Sequence, residues 1–162
     1  MLRNQTPAPE FSLLDQDGKQ RTLAELRGDK PLLLFYYRGA FCPTSHKQLT
    51  DYADIYSRFK PLGAELVAVS VDSPEKSREL ADDLKIKFPL LSDTDFSLAQ
   101  DYGVYKSDDE EGPQPHGEPA IFIIDVDGKI AYSQIQTGPK GSANPSELAL
   151  VLLYMRDNGG RY

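Results

Sequence analysis

Apolar positions along the chain recur with two different periods, and their succession predicts strands linked by helices. Residues 32–37 (Leu-Leu-Leu-Phe-Tyr-Tyr) form an apolar run with no polar alternation, the pattern of a central strand covered on both faces. Residues 64–71 repeat that pattern as a second buried strand. Between them Leu49, Tyr52, Ile55, Tyr56 and Phe59 fall three and four apart, which predicts an amphipathic helix over 43–59 that Pro61 and Gly63 close. Ser73-Pro74 supplies an N-cap and a first-position proline for a helix running to about 84. Residues 88–91 read as a short extended piece and 96–102 as a short helix ended by Gly103.

Turn chemistry fixes the two ends. Residues 8–19 alternate and then turn at Asp17-Gly18, predicting an N-terminal hairpin that returns through 20–22, followed by a helical turn over 23–26. Near the other end, Ile121-Phe122-Ile123-Ile124, the Asp127-Gly128 turn and the segment 129–132 read as a second hairpin, and Asn144-Pro145 caps a last helix through Met155. The polar stretch 106–118 carries Asp108-Asp109-Glu110-Glu111 and reads as a solvated loop. Strands linked by helices, then an antiparallel hairpin and a final helix, describe an α/β sandwich with a mixed central sheet. No internal repeat is evident, and 162 residues suit one domain over 1–162.

Composition narrows the choice of function. A net charge of −7 with no basic cluster argues against nucleic acid or an anionic membrane surface as partner. The apolar runs are far shorter than the ~20 residues of a membrane span, and the first residues lack the apolar core of a signal peptide, so a cytoplasmic location is expected. One cysteine forms no internal disulfide and fits a reducing compartment. With one Cys, and with His46 and His116 far apart, there is no zinc pattern, and no cofactor is expected.

That cysteine is the candidate reactive group. Cys42 follows the strand and a glycine turn (Arg38-Gly39-Ala40-Phe41) and precedes Pro43. Proline suits the first helical position, which makes Cys42 the expected N-cap, facing free amides and the positive end of the helix dipole. That setting is worth up to ~2 kcal/mol, or roughly 1.5 pKa units, bringing a thiol from about 8.5 towards 7. A buried, inert cysteine is the bland alternative. In open α/β sheets sites gather at the carboxyl ends of strands, where Cys42 falls.

The N-terminal segment 8–19, the unit Tyr37-Arg38-Gly39-Ala40-Phe41-Cys42-Pro43 and the stretch Glu118-Pro119-Ala120-Ile121-Phe122-Ile123-Ile124-Asp125 with its Asp127-Gly128 turn together resemble the peroxiredoxins of the alkyl hydroperoxide reductase and thiol-specific antioxidant superfamily. The resemblance covers nearly the whole chain and implies a thioredoxin-like three-layer sandwich. It implies that Cys42 is the peroxidatic cysteine of a one-cysteine thiol peroxidase, oxidised by a hydroperoxide to a sulfenic acid that an external thiol, glutathione or a thioredoxin-like protein, then reduces.

Three departures from that family's pattern bear on the mechanism. Phe35 and Gly39 stand where a proline and a threonine or serine are usual, Pro119 stands where an arginine precedes the last central strand, and Ser45 replaces a frequent second cysteine. Pro119 looks instead like the cis-proline facing the cysteine in thioredoxins. Arg38 is then the candidate cation beside the thiolate, against a surface or carboxylate-paired arginine. The amides of Thr44 and Ser45 are candidate donors, against plain helix-start residues. Phe41 is placed to pack on the helix and shield the thiol, and His46 is expected at the solvent rather than as a proton relay. A monothiol disulfide-exchange protein, favoured by Pro119, and a redox-inactive binding module are the alternatives. Tyr52, Tyr56, Tyr102 and Tyr105 suit either a homodimer surface or the core.

Overall fold

A computed structural model describes residues 2–141 and 144–162, apart from the side chain of Phe59. A seven-stranded sheet runs through the molecule: β1 (Ser12–Leu14), β2 (Gln20–Thr22), β3 (Leu32–Tyr36), β4 (Glu65–Ser70), β5 (Leu90–Ser92), β6 (Ala120–Ile124) and β7 (Ile130–Ile135), in the order β2-β1-β5-β4-β3-β6-β7. β3, β4 and β5 are mutually parallel, whereas β6 lies antiparallel to β3 and hairpins into β7. The sheet is therefore mixed, and the β1–β2 hairpin adds its N-terminal edge through one bridge, Leu14 to Ser92.

Because side chains alternate across a strand, β3 is apolar on both sides and feeds two cores. Leu33, Phe35 and Tyr37 face α2 (Pro43–Phe59), α3 (Pro74–Leu84) and α5 (Pro145–Asp157), meeting Leu49, Tyr52, Leu80 and Leu152. Leu32, Leu34 and Tyr36 face the other way, toward α1 (Leu23–Arg27) and α4 (Ser97–Tyr102). The result is a three-layer sandwich. Tyr52 and Tyr102 are buried in these two cores, while Tyr56 is half-buried and Tyr105 exposed, so these four tyrosines do not form a common surface.

The Ser73 and Asn144 caps fall where the sequence places them, and Thr22 adds one beyond those expected. Thr22, Ser73 and Asn144 each accept an amide hydrogen bond at the start of α1, α3 and α5. α4 is capped from a distance: the two oxygens of buried Asp93 accept from the Leu98 and Ala99 amides at 2.9 and 3.0 Å, while Phe96 takes a left-handed φ of 63°. Among the described residues no helix is long and apolar enough to cross a membrane. The carboxyl ends of β3 and β4 and the entry to β6 come together at one edge, and the cysteine lies there.

Candidate active site

Cys42 leaves β3 through a loop that glycine makes possible. Gly39 adopts φ +144°, and a Cβ there would sit 3.1 Å from the Phe41 ring and 3.2 Å from a carboxylate oxygen of Asp72. Asp72, buried just after β4, accepts the Ala40 amide at 2.7 Å and so ties the cysteine loop to the neighbouring strand. Cys42 occupies the N-cap of α2 in extended conformation with Pro43 at the first turn, as the sequence predicts. Only 4% of the residue is exposed.

Its company is polar and charged. Arg38 Nη1 donates to the Cys42 sulfur at 3.2 Å. Burial by itself pushes the thiol up, but the Ser45 amide, the Arg38 guanidinium, the Ser45 hydroxyl and the Thr44 amide together outweigh it and hold the thiol below its ordinary value. No capping hydrogen bond of ordinary geometry reaches the sulfur from the helix start, so these amides act on the anion at longer range. Ser45 is fully buried, and its hydroxyl accepts the Arg38 amide at 3.2 Å, which leaves its own proton free for the sulfur.

The Arg38 side chain, 4% exposed, is held from every side. Nη2 bonds Asp109 and lies 3.2 Å from His116 Nε2, and Nε sits 3.1 Å from a Glu118 carboxylate oxygen as an ion pair not aligned for a hydrogen bond. His116 Nδ1 lies 2.8 Å from the Pro113 carbonyl. The carbonyl accepts, so Nδ1 carries the proton and Nε2 is left to accept from Arg38. Of the five guanidinium N–H groups, two make no hydrogen bond among the described residues: the one on Nε, which faces Glu118 as an ion pair, and one on Nη1, beside the sulfur. Phe41 closes the top: its ring meets His116 at 5.0 Å edge-to-face and Arg38 at 5.2 Å, and Gly112 packs so closely beneath it that a Cβ would collide at 2.4 Å.

Several expectations change here. Phe41 packs on His116, Arg38 and Gly112, residues of the loop side, since the 106–118 segment folds over it. The Glu118–Pro119 bond is trans, the cis bond being Gln114–Pro115; Pro119 is buried at the start of β6, where its carbonyl accepts the Gln136 amide. The comparison with a thioredoxin cis-proline therefore fails. His46 is half-buried rather than at the solvent, its Nε2 donating to the Ala40 carbonyl at 2.6 Å. Arg38 is both things the sequence offered, paired to carboxylates and bonded to the sulfur. Asp109, His116, Glu118 and Asp72 carried no signal in the sequence: Asp109 belongs to a charge run that reads as solvated, and His116 is lone.

The family model described as the AhpC/TSA family matches residues 5–133, about four-fifths of the chain. The chain belongs to the AhpC/TSA family. Peroxiredoxin Bcp of Escherichia coli K12 is 35% identical over 126 residues, covering 77% of this chain and 80% of that protein. Peroxiredoxin Q of Gentiana triflora, a chloroplastic protein, is 35% identical over 122 residues, 75% of this chain and 54% of its own length. Among solved structures, peroxidoxin BcpB from Mycobacterium tuberculosis superposes with a TM-score of 0.81 at 27% identity, covering 95% and 97% of the two chains. This AhpC/TSA chain thus has the peroxiredoxin fold, and its seven-stranded mixed sheet is that fold's sheet.

Proposed function

We propose that the protein is a one-cysteine thiol peroxidase in which Cys42 is the nucleophile and Arg38 the cation beside it. The observation that carries the reading is the 3.2 Å contact between Arg38 Nη1 and a sulfur seated at the start of α2. Its support from the comparisons is membership of the AhpC/TSA family and similarity to proteins named peroxiredoxin.

The Cys42 thiolate attacks the distal oxygen of a hydroperoxide ROOH. An S–O bond forms as the O–O bond breaks, the sulfur is oxidised to the sulfenic acid, and the departing RO⁻ takes a proton to leave as ROH. The free Nη1 N–H is the donor placed to stabilise charge on the breaking peroxide, with the Thr44 and Ser45 amides behind the sulfur. Arg38 thus takes over the work of the arginine that Pro119 displaces. An external thiol RSH condenses with the sulfenic acid, releasing water and leaving a mixed disulfide. A second thiol attacks that disulfide, frees Cys42 and departs as RSSR. Glutathione or a thioredoxin-like protein, in the cytoplasm, completes the proposal.

Intact-mass measurement tests it. One equivalent of hydrogen peroxide should add one oxygen to the wild type within minutes and none to Cys42→Ser, and glutathione should convert the oxidised form first to a mixed disulfide and then back to thiol. No mass change on the wild type would end the peroxidase reading. The disulfide-exchange alternative loses the likeness to a thioredoxin cis-proline, because the Pro119 bond is trans.

A further inference from the structure

The charges around the sulfur are unequal in sign. Within the closed cluster there is one cation, Arg38, and three anionic groups share it: the Cys42 thiolate, Glu118 and Asp109. Glu118 is as buried as Arg38, its side chain 4% exposed, and is part of the interior. Asp109 differs. Its side chain is 37% exposed, so it is the member of the cluster that meets the solvent from which substrate arrives. It is also held in place rather than trailing: its amide donates to Ser107 Oγ at 3.3 Å, its Oδ1 accepts the Glu111 amide at 3.1 Å, and its carbonyl accepts from Gln114 at 3.1 Å. These local bonds form the loop around one carboxylate and aim it at the Nη2 edge of Arg38, with His116 Nε2 3.4 Å from its other oxygen.

We infer that Asp109 makes Cys42 selective for uncharged hydroperoxides, by occupying the guanidinium edge that an anionic oxidant would otherwise bind and by adding negative charge at the mouth of the site. The inference rests on the peroxidase reading and names its substrate class: hydrogen peroxide and small neutral alkyl hydroperoxides, with carboxylate-bearing hydroperoxides disfavoured. A carboxylate is the natural partner of a guanidinium, and Arg38 already has one, the part-exposed Asp109, on its Nη2 edge. An anionic substrate has to displace Asp109 or approach three negative groups with one positive charge between them. In a partly desolvated site, one unit charge at this range changes an approach rate by about five- to tenfold.

Two alkylating agents of nearly equal size test this without any peroxide. Iodoacetamide is neutral and iodoacetate is an anion, and both react only with the thiolate, so the ratio of their rates at Cys42, divided by the same ratio for a free thiol, cancels the thiolate fraction. The wild type should favour iodoacetamide by about tenfold over the free-thiol ratio at low ionic strength, and added salt should erode that preference. Asp109→Asn should lower the preference about five- to tenfold. Glu110→Gln, the same charge change on an exposed neighbour with no bond to Arg38, should leave it within about twofold. The inference is overturned if Asp109→Asn shifts the ratio by less than twofold, if Glu110→Gln shifts it equally, if the wild-type ratio ignores salt, or if neither reagent reaches Cys42 in the native protein. Failure of hydrogen peroxide to oxidise Cys42 would instead sink the peroxidase reading, since the alkylation ratio does not depend on it. The same ratio measured with tert-butyl hydroperoxide against a carboxylate-bearing alkyl hydroperoxide carries the selectivity to the reaction itself.

Discussion

Replacing Arg38 with methionine keeps the apolar stem and removes the charge, and two effects separate cleanly. The first is chemical. A unit charge pair at the 3.2 Å between Nη1 and the sulfur amounts to about 5 kcal/mol at an effective dielectric constant of about 20, before the cost of desolvating the partners. Net of that cost, a hydrogen bond to a charged group retains about 1.5–3 kcal/mol, equivalent to about 1–2 pKa units. The thiol of Arg38→Met should therefore titrate about 1–2 units higher than in the wild type. The second effect is structural. Glu118, 4% exposed, loses its ion-pair partner, and an uncompensated buried charge costs about 3–5 kcal/mol of stability. Adding Glu118→Gln removes the orphaned charge, so the double variant should recover much of the stability while the thiol stays hard to ionise. The assays are the pH dependence of iodoacetamide alkylation, cross-checked by the ultraviolet absorbance of the thiolate, and the denaturant midpoint. If Arg38→Met folds and its thiol midpoint rises by less than half a unit, Arg38 is not what sustains the anion.

Three smaller perturbations probe the same site. Ser45→Ala removes a fully buried hydroxyl that accepts the Arg38 amide and favours the thiolate; it should cost about 1–2 kcal/mol in the denaturant midpoint and raise the thiol titration, whereas an unchanged titration would make Ser45 a helix-start residue only. Gly112→Ala sets a Cβ 2.4 Å from the Phe41 ring at φ +71°, so the 106–118 segment must move, and proteolysis at that loop should quicken without loss of global stability beyond about 1–3 kcal/mol. The third concerns pH. The native thiol releases its proton more readily than the unfolded one, so between its native pKa and about 8.5 the unfolded state binds more protons, and stability rises with pH across that window. This contribution is complete above about 8.5 and lost as pH falls through the native pKa. Subtracting the stability profile of Cys42→Ser should isolate that rise, and a flat difference curve would contradict it.

The sheet was legible because each strand carries its own signature. Leu32 to Tyr36 is apolar at every position and proves to be covered twice, and Asp127-Gly128 turns β6 into β7 as its dipeptide demands. Cys42 at the N-cap was legible for the same reason, Pro43 being a local signal for a local geometry. What the sequence left dark is the set of partners brought from afar: Asp109 lies 71 positions from Arg38 and His116 lies 78. A run of four acidic residues reads as solvated because three of its four members, Asp108, Glu110 and Glu111, are indeed exposed, and nothing local distinguishes Asp109 from them. The Pro119 error has a similar root, since the trans or cis state of that bond depends on the chain around it.

The same non-local placement explains why the missing family residues need not silence the chemistry. A peroxide-reducing site requires a cation next to a thiolate and donors aimed at the breaking bond, not a particular chain position for either. Here the arginine comes from the loop that follows β3, four residues before the cysteine, instead of from the entry to β6, and the entry to β6 contributes Glu118 as its counter-ion. Moving the cation onto the cysteine's own loop brings a consequence: it must be restrained from across the sheet, and Asp109, His116 and Glu118 do so at once. A lysine at 38 would keep the charge but, with one nitrogen in place of a fork, reach only some of these partners. The guanidinium thus serves by its fork as well as by its charge, joining the sulfur and the far side of the site in a single group.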